Sequence, residues 1–198
     1  AFLATSVTLA NELARVCEEN DANFQDVADA MKFDPRIGRR AYLSPGLGFS
    51  GATLGRDLQA LESAAPAKTG STSLFGAVWQ INHQAPERLL IRMSAALGAL
   101  PNRTIALLGM TYKPGTSTLR QSLSVRIANR LVDLGARVVA YDPKADWREL
   151  DGRRLAIAET AADAVRGADA IVILTEWPEF RDLNWGILAR TAADDATL

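Results

Sequence analysis

Few residues have the type and setting to do chemistry. Thr53 stands at the end of a glycine-rich run, Pro45-Gly46-Leu47-Gly48-Phe49-Ser50-Gly51-Ala52, and is followed by Leu54-Gly55-Arg56-Asp57. Glycines let a backbone approach a ligand closely, and the polar end of such a run opens a helix whose amides suit an anion. The same run also reads as a mobile connection. A Thr hydroxyl attacks only when a base takes its proton. The sole His, His83, falls in a different predicted helix with no spacing that links it to Thr53, and it reads as an exposed helix residue. Cys17 shares helical spacing with Leu13 and Val16, which favours a buried, inert thiol over a reactive one.

A second group follows an apolar run. Gly109-Met110-Thr111-Tyr112-Lys113-Pro114-Gly115-Thr116 loosely resembles a phosphate loop, but this segment has neither the Gly-Lys-Ser/Thr ending nor a GxGxxG fingerprint. Lys113 and Arg120 place two cations there, and Asp142 follows the next predicted strand. One reading is a nucleotide site: a loop and a helix end that favour an anion, with an acid that could hold a ribose hydroxyl. The other gives Lys113 a solvated loop position and makes Asp142-Pro143 a plain turn. Spacing alone leaves both open.

The elements that must position these residues follow from periodicity. Phe2, Leu3, Val7, Leu9, Leu13, Val16 and Cys17 predict an amphipathic helix to about residue 19, followed by helices over about 24–31, 54–64 and 71–97, with a kink or break before Pro86. Near Leu100-Pro101-Asn102 the pattern changes. Thr104-Ile105-Ala106-Leu107-Leu108 reads as a buried strand, and further strands are expected over 137–141, 155–158 and 170–174, with helices over 120–134 and 161–166 between them. Strand and helix in alternation mean parallel βαβ units, whose ligands bind beyond the carboxyl ends of the strands. The expected fold class is α/β: a helical domain over residues 1–99, then an open parallel α/β domain over residues 100–198.

Composition narrows the function classes. Among 198 residues, Lys+Arg 22 against Asp+Glu 23 gives a net charge of -1, so no global positive field attracts nucleic acid. One Cys and one His do not supply a zinc site or an internal disulfide, and no metal is expected. No apolar run reaches the ~18 residues of a membrane span, and no targeting signal is evident, which makes the cytoplasm the default expectation. The chain opens without Met and closes on Asp194-Asp195-Ala196-Thr197-Leu198, and is expected to be a piece of something longer.

Several short segments, in order, resemble the UDP-glucose/GDP-mannose dehydrogenases: Ala1-Phe2-Leu3-Ala4-Thr5 with Asn11-Glu12, Asp34-Pro35-Arg36-Ile37-Gly38, the glycine run ending in Asp57, Gly109 to Thr116 with Leu119-Arg120, Tyr141-Asp142-Pro143 and Leu174-Thr175-Glu176-Trp177. Members are NAD-dependent enzymes that oxidise a nucleotide sugar's 6-hydroxyl to a carboxylate. The resemblance implies a central helical dimerisation domain followed by a Rossmann-like UDP-binding domain. The NAD-binding domain and a catalytic Lys-x-x-x-Asn would lie outside this chain. It further implies that Arg36 reaches a partner's substrate across a homodimer, and that Leu43, Gly46, Gly48, Phe49 and Gly51 wrap a UDP-sugar. Lys113 would contact substrate, Asp57 would orient water or substrate, and Arg120 would face NAD.

The chain departs from the family in the glycine run. The family pattern Gly-Phe/Tyr-Gly-Gly-Ser-Cys-Phe-Pro-Lys-Asp meets Gly48-Phe49-Ser50-Gly51-Ala52-Thr53-Leu54-Gly55-Arg56-Asp57, so Thr53 stands where a catalytic Cys belongs. That thiolate traps the aldehyde as a thiohemiacetal, and a Thr hydroxyl is a far poorer nucleophile at neutral pH. An acidic pair before Leu119-Arg120 is replaced by Ser117-Thr118. Three readings follow: a nucleotide-sugar 6-dehydrogenase, a two-electron variant that stops at the aldehyde, or a UDP-sugar-binding relative without turnover.

Overall fold

The protein is described from a computed structural model covering residues 1–64, 73–150 and 154–193. It divides into two compact units, Ala1–Ala85 and Pro86–Leu198.

The first unit is helical. Helix α1 (Phe2–Glu19) turns Ala4, Val7, Ala10 and Cys17 inward, while Phe2, Leu9 and Val16, seven residues apart, face outward. Helix α2 (Phe24–Phe33) starts where the Asn23 side chain accepts from the Gln25 amide, and stops at Asp34, which the following Pro35 holds in an extended conformation. Helix α3 (Ala52–Ala64) follows the glycine run, and α4 (Leu74–Leu97) begins in this unit. The core gathers Ala4, Val7, Phe49, Leu58 and Val78, with Leu54 and Trp79 packed against it.

Helix α4 runs on through Pro86, where a kink or break was expected. Pro86 removes one amide donor and crowds the Asn82 carbonyl, but its ring is fully buried, and the helical turns on either side persist.

The second unit is a four-stranded parallel sheet. Strands β1 (Thr104–Leu108), β2 (Arg137–Tyr141), β3 (Ala156–Ile157) and β4 (Ala170–Ile173) take the order β3-β2-β1-β4, as expected of an α/β domain. Thr104 pairs with Arg137 and Ile105 with Ala170, so β1 is hydrogen-bonded on both edges. That explains its unbroken apolar run, of which Ile105 to Leu108 are fully buried. Helix α5 (Leu123–Asp133) connects β1 to β2, and Gly135 ends that connection with φ +83°. Helix α6 (Ala161–Val165) precedes β4, and α7 (Trp185–Ala189), absent from the sequence reading, follows it. Ala106, Leu108, Ala164, Val165, Ile171, Trp177 and Phe180 form one core.

Candidate functional site

In the helical unit the glycine run is a fixed loop. Gly48 (φ +110°) and Gly51 (φ +84°) occupy conformations that side chains resist. The Gly46 amide donates to Asn11 Oδ1 at 2.7 Å. Asn82, buried on α4, binds Phe49 at two points: the Phe49 amide donates to Oδ1 at 2.7 Å, and Nδ2 donates to the Phe49 carbonyl at 2.9 Å. The Phe49 ring is part of the core and Leu43 is buried, so these two anchor the loop, while Gly46 is its exposed part.

The loop delivers the chain into α3. Gly55 and Leu58 face inward, and a Cβ at Gly55 would lie 2.7 Å from the Trp79 ring, so Trp79 takes up the space a side chain would fill. Thr53 is therefore exposed on the first turn, with Asp57 one turn later on the same face. Asp57 is half-buried and pairs with Arg56 at 3.4 Å. His83 is exposed and lies against the Trp79 ring, with centroids 5.7 Å apart. Arg36 points outward from its turn, its side chain 88% exposed, and its guanidinium forks onto Asp34 at 2.6 to 3.2 Å. Hydrogen bonds from the Arg36 side chain, then from its backbone, hold the Asp34 carboxyl below the usual range.

In the sheet unit the loop after β1 is bolted at its base. The Gly109 amide donates to the Tyr141 carbonyl, Ser122 Oγ donates to the Met110 carbonyl, and Thr175 Oγ1 donates to the Thr111 carbonyl. Asp142 is the centre of this base. Its Oδ2 accepts from the Met110 amide at 2.7 Å, the Thr111 amide at 2.9 Å, Thr111 Oγ1 at 3.0 Å and Trp177 Nε1 at 3.1 Å. Its Oδ1 accepts from the Lys144 amide. The acid expected as a candidate for a ribose hydroxyl is thus 5% exposed and committed inward. The expected anion-binding helix end is also closed. Helix α5 starts at Leu123 rather than near Arg120, Ser122 caps it by accepting from the Ser124 amide, and Ser122, Leu123 and Ser124 are all buried.

What stays outward is the tip. Lys113 is exposed with its Nζ 5.6 Å from the Tyr112 ring centroid, and Arg120 is exposed at the loop's far end. Between them, Glu149 reaches in from a single turn at Trp147–Glu149. Its Oε2 accepts from Thr118 Oγ1 at 2.7 Å and from the Leu119 amide at 2.8 Å, and its Oε1 lies 3.6 Å from Arg120 Nε. Thr118, then the Leu119 amide, hold the Glu149 carboxyl below its ordinary range. The Asp146 amide donates to the Ser117 carbonyl at 2.7 Å and fixes the same stretch. Glu149 and Asn82 do not stand out in the sequence, and Asn11 does so only as part of a family segment, without a role of its own. Each acts 30 or more residues from its partner, so no local motif announces it. Among the described residues, no group of three or more His, Cys, Asp or Glu could hold a metal, and no helix is long and apolar enough to cross a membrane.

Residues 1–84 match the central domain of the UDP-glucose/GDP-mannose dehydrogenase family, and residues 106–197 match its UDP-binding domain. A UDP-glucose 6-dehydrogenase of Bacillus subtilis is 36% identical over 183 residues, which cover 91% of this chain and 41% of that protein. One from Haloferax volcanii is 37% identical over 190 residues, covering 93% and 43%. A solved UDP-glucose dehydrogenase from Pyrobaculum islandicum superposes with a TM-score of 0.87 at 27% identity, over 99% of this chain and 48% of that one. The chain spans less than half the length of these relatives. With both domains matched in order and the fold shared, it belongs to the UDP-glucose/GDP-mannose dehydrogenase family.

Proposed function

We propose that this chain is the substrate-binding and dimer-forming part of an NAD-dependent nucleotide-sugar 6-dehydrogenase, of the kind that converts UDP-glucose to UDP-glucuronate. The two family domains in their family order carry this reading. In it, residues 1–99 form the dimer core and residues 100–198 the UDP-sugar domain. The loop from Leu43 to Gly51, with Gly46, Gly48 and Phe49, shapes the wall facing the sugar nucleotide. Arg36 serves the partner's site, and its outward, 88% exposed side chain supports that role. Lys113 offers a cation to the diphosphate. Arg120 offers an exposed guanidinium, whose planar donors suit a pyrophosphate oxygen, so it fits the single NAD contact assigned to it. NAD supplies the hydride acceptor when bound. Asp57, one turn from Thr53, orients water or substrate.

Thr53 favours a second outcome at the same site. An exposed hydroxyl with a carboxylate, Asp57, one turn away is a weak trap for an aldehyde. A variant that stops at the aldehyde, or one that binds UDP-sugars without turnover, follows from that substitution. The test counts NADH per sugar in the complete protein supplied with NAD⁺ and a panel of UDP- and GDP-sugars. Two per sugar supports four-electron oxidation, and one supports the aldehyde variant. None, with UDP-sugar binding intact, overturns the enzymatic reading in favour of a binding protein. Thr53→Cys is expected to raise a count of one to two.

A further inference from the structure

We infer that Glu149 is a positioning residue that holds Arg120 in place to meet a phosphate. The inference rests on the reading above, that Arg120 meets a ligand of this family.

The stretch carrying Arg120 belongs to no helix or strand. Gln121, beside it, adopts φ +55°, and Arg120 is exposed. An Arg side chain loses rotamer freedom when fixed, so an untethered one makes a poor phosphate clamp. Glu149 addresses both the backbone and the side chain. One carboxylate oxygen takes the Thr118 hydroxyl and the Leu119 amide, which fixes the backbone immediately before Arg120. The other lies 3.6 Å from Arg120 Nε, on the inner edge of the guanidinium. A carboxylate on Nε leaves the terminal nitrogens to face outward, where two donors can meet a phosphate side by side.

Glu149 is itself held. Its side chain is 21% exposed against 81% for Arg120, and its turn is capped by Asp146, whose Oδ1 accepts from the Arg148 amide. The anchored partner therefore sets the geometry of the free one. Ser117 and Thr118, in the segment before Arg120, carry no charge, and the carboxylate paired with this arginine comes from a different part of the chain. The phosphate belongs either to the cofactor's pyrophosphate or to the nucleotide sugar's, and the two share one chemistry.

The test uses the complete protein with Glu149→Ala, Glu149→Gln, Arg120→Ala and the Glu149→Ala/Arg120→Ala pair. Hydrogen exchange over residues 117–120 reads the positioning directly. Glu149→Ala is expected to accelerate exchange there, while Glu149→Gln, which keeps an acceptor for Leu119, holds it near the parent rate. Unchanged exchange in Glu149→Ala overturns the positioning claim. Affinity reads its use. Glu149→Ala is expected to weaken either NAD⁺ or UDP-sugar binding about fivefold and leave the other unchanged, which identifies the phosphate. In the Arg120→Ala background the same substitution is expected to add nothing further. An undiminished effect there overturns the proposal, because Glu149 would then act without Arg120. If Arg120→Ala weakens neither ligand, the ligand-contact reading fails, and with it the purpose assigned to Glu149, while the exchange result still reports the tether itself.

Discussion

Thr53 and Asp142 show how far a residue's type carries. By resemblance, Thr53 stands where the family's nucleophile belongs, because the surrounding glycine run gives its register, and the structure adds that it is exposed one turn from Asp57. Asp142 misleads. A carboxylate after a β-strand suits a ribose, but in the fold four hydrogen bonds already converge on its Oδ2. Three of those donors, the Met110 and Thr111 amides and Trp177 Nε1, come from buried residues far from Asp142 in sequence, so no window around it reveals them. Asp142→Ala leaves these donors unpaired in the interior. It is expected to destabilise the protein by about 3 kcal/mol or more, read as a lowered midpoint in urea unfolding with little change in slope.

Elements were easier to read than their ends. Strand β1 was plain as a continuous apolar run, and α1 as a 3.6-residue pattern, because burial on two faces or one imprints directly on composition. The sequence pattern places the start of α5 three residues early, at Arg120, because Ser122, its cap, sits among other polar residues that could cap equally well. The short α7 and the turn at Trp147–Glu149 have too few residues to carry a period. Two predictions belong at this scale. Gly109 ends β1 at φ +88°, and a Cβ there would meet the Thr175 backbone N and O at 2.7 Å. Gly109→Ala is expected to cost about 3 kcal/mol, combining left-handed strain with a clash that backbone atoms cannot relieve, and calorimetry would read it as a lowered Tm. Asp169 joins β1 to β4: its carboxylate accepts from the Thr104 amide and from Arg103, both at 2.7 Å. The Thr104 amide, then Arg103, hold its carboxyl below the ordinary value. A depressed folded pKa stabilises above the unfolded value near 4 and loses that contribution as pH falls through the folded one. Asp169→Asn is therefore expected to flatten the acid limb of the stability profile below about pH 4, with a smaller stability difference from the parent at pH 2 than at pH 7.

At the scale of the whole molecule, α1 presents Phe2, Leu9 and Val16, exposed by 87%, 46% and 46%, on one stripe at heptad spacing. That stripe supports the proposed homodimer, for which helix faces with apolar residues every seven positions are suited. Leu9→Glu with Val16→Glu is expected to halve the mass seen by light scattering while leaving helical content unchanged. An unaltered mass would move the dimer contact elsewhere.

The inward commitment of Asp142 also bears on how this protein would respond to its medium. With that acid spent on the scaffold and the α5 amide end closed by Ser122, the charges that the β1 loop itself offers a diphosphate are side chains in water, Lys113 and Arg120. Attraction between exposed charges fades over about 8 Å at physiological ionic strength and about 3 Å in molar salt. Nucleotide affinity should therefore fall steeply as potassium chloride is raised, in a range where the fold itself, anchored on buried hydrogen bonds, does not change.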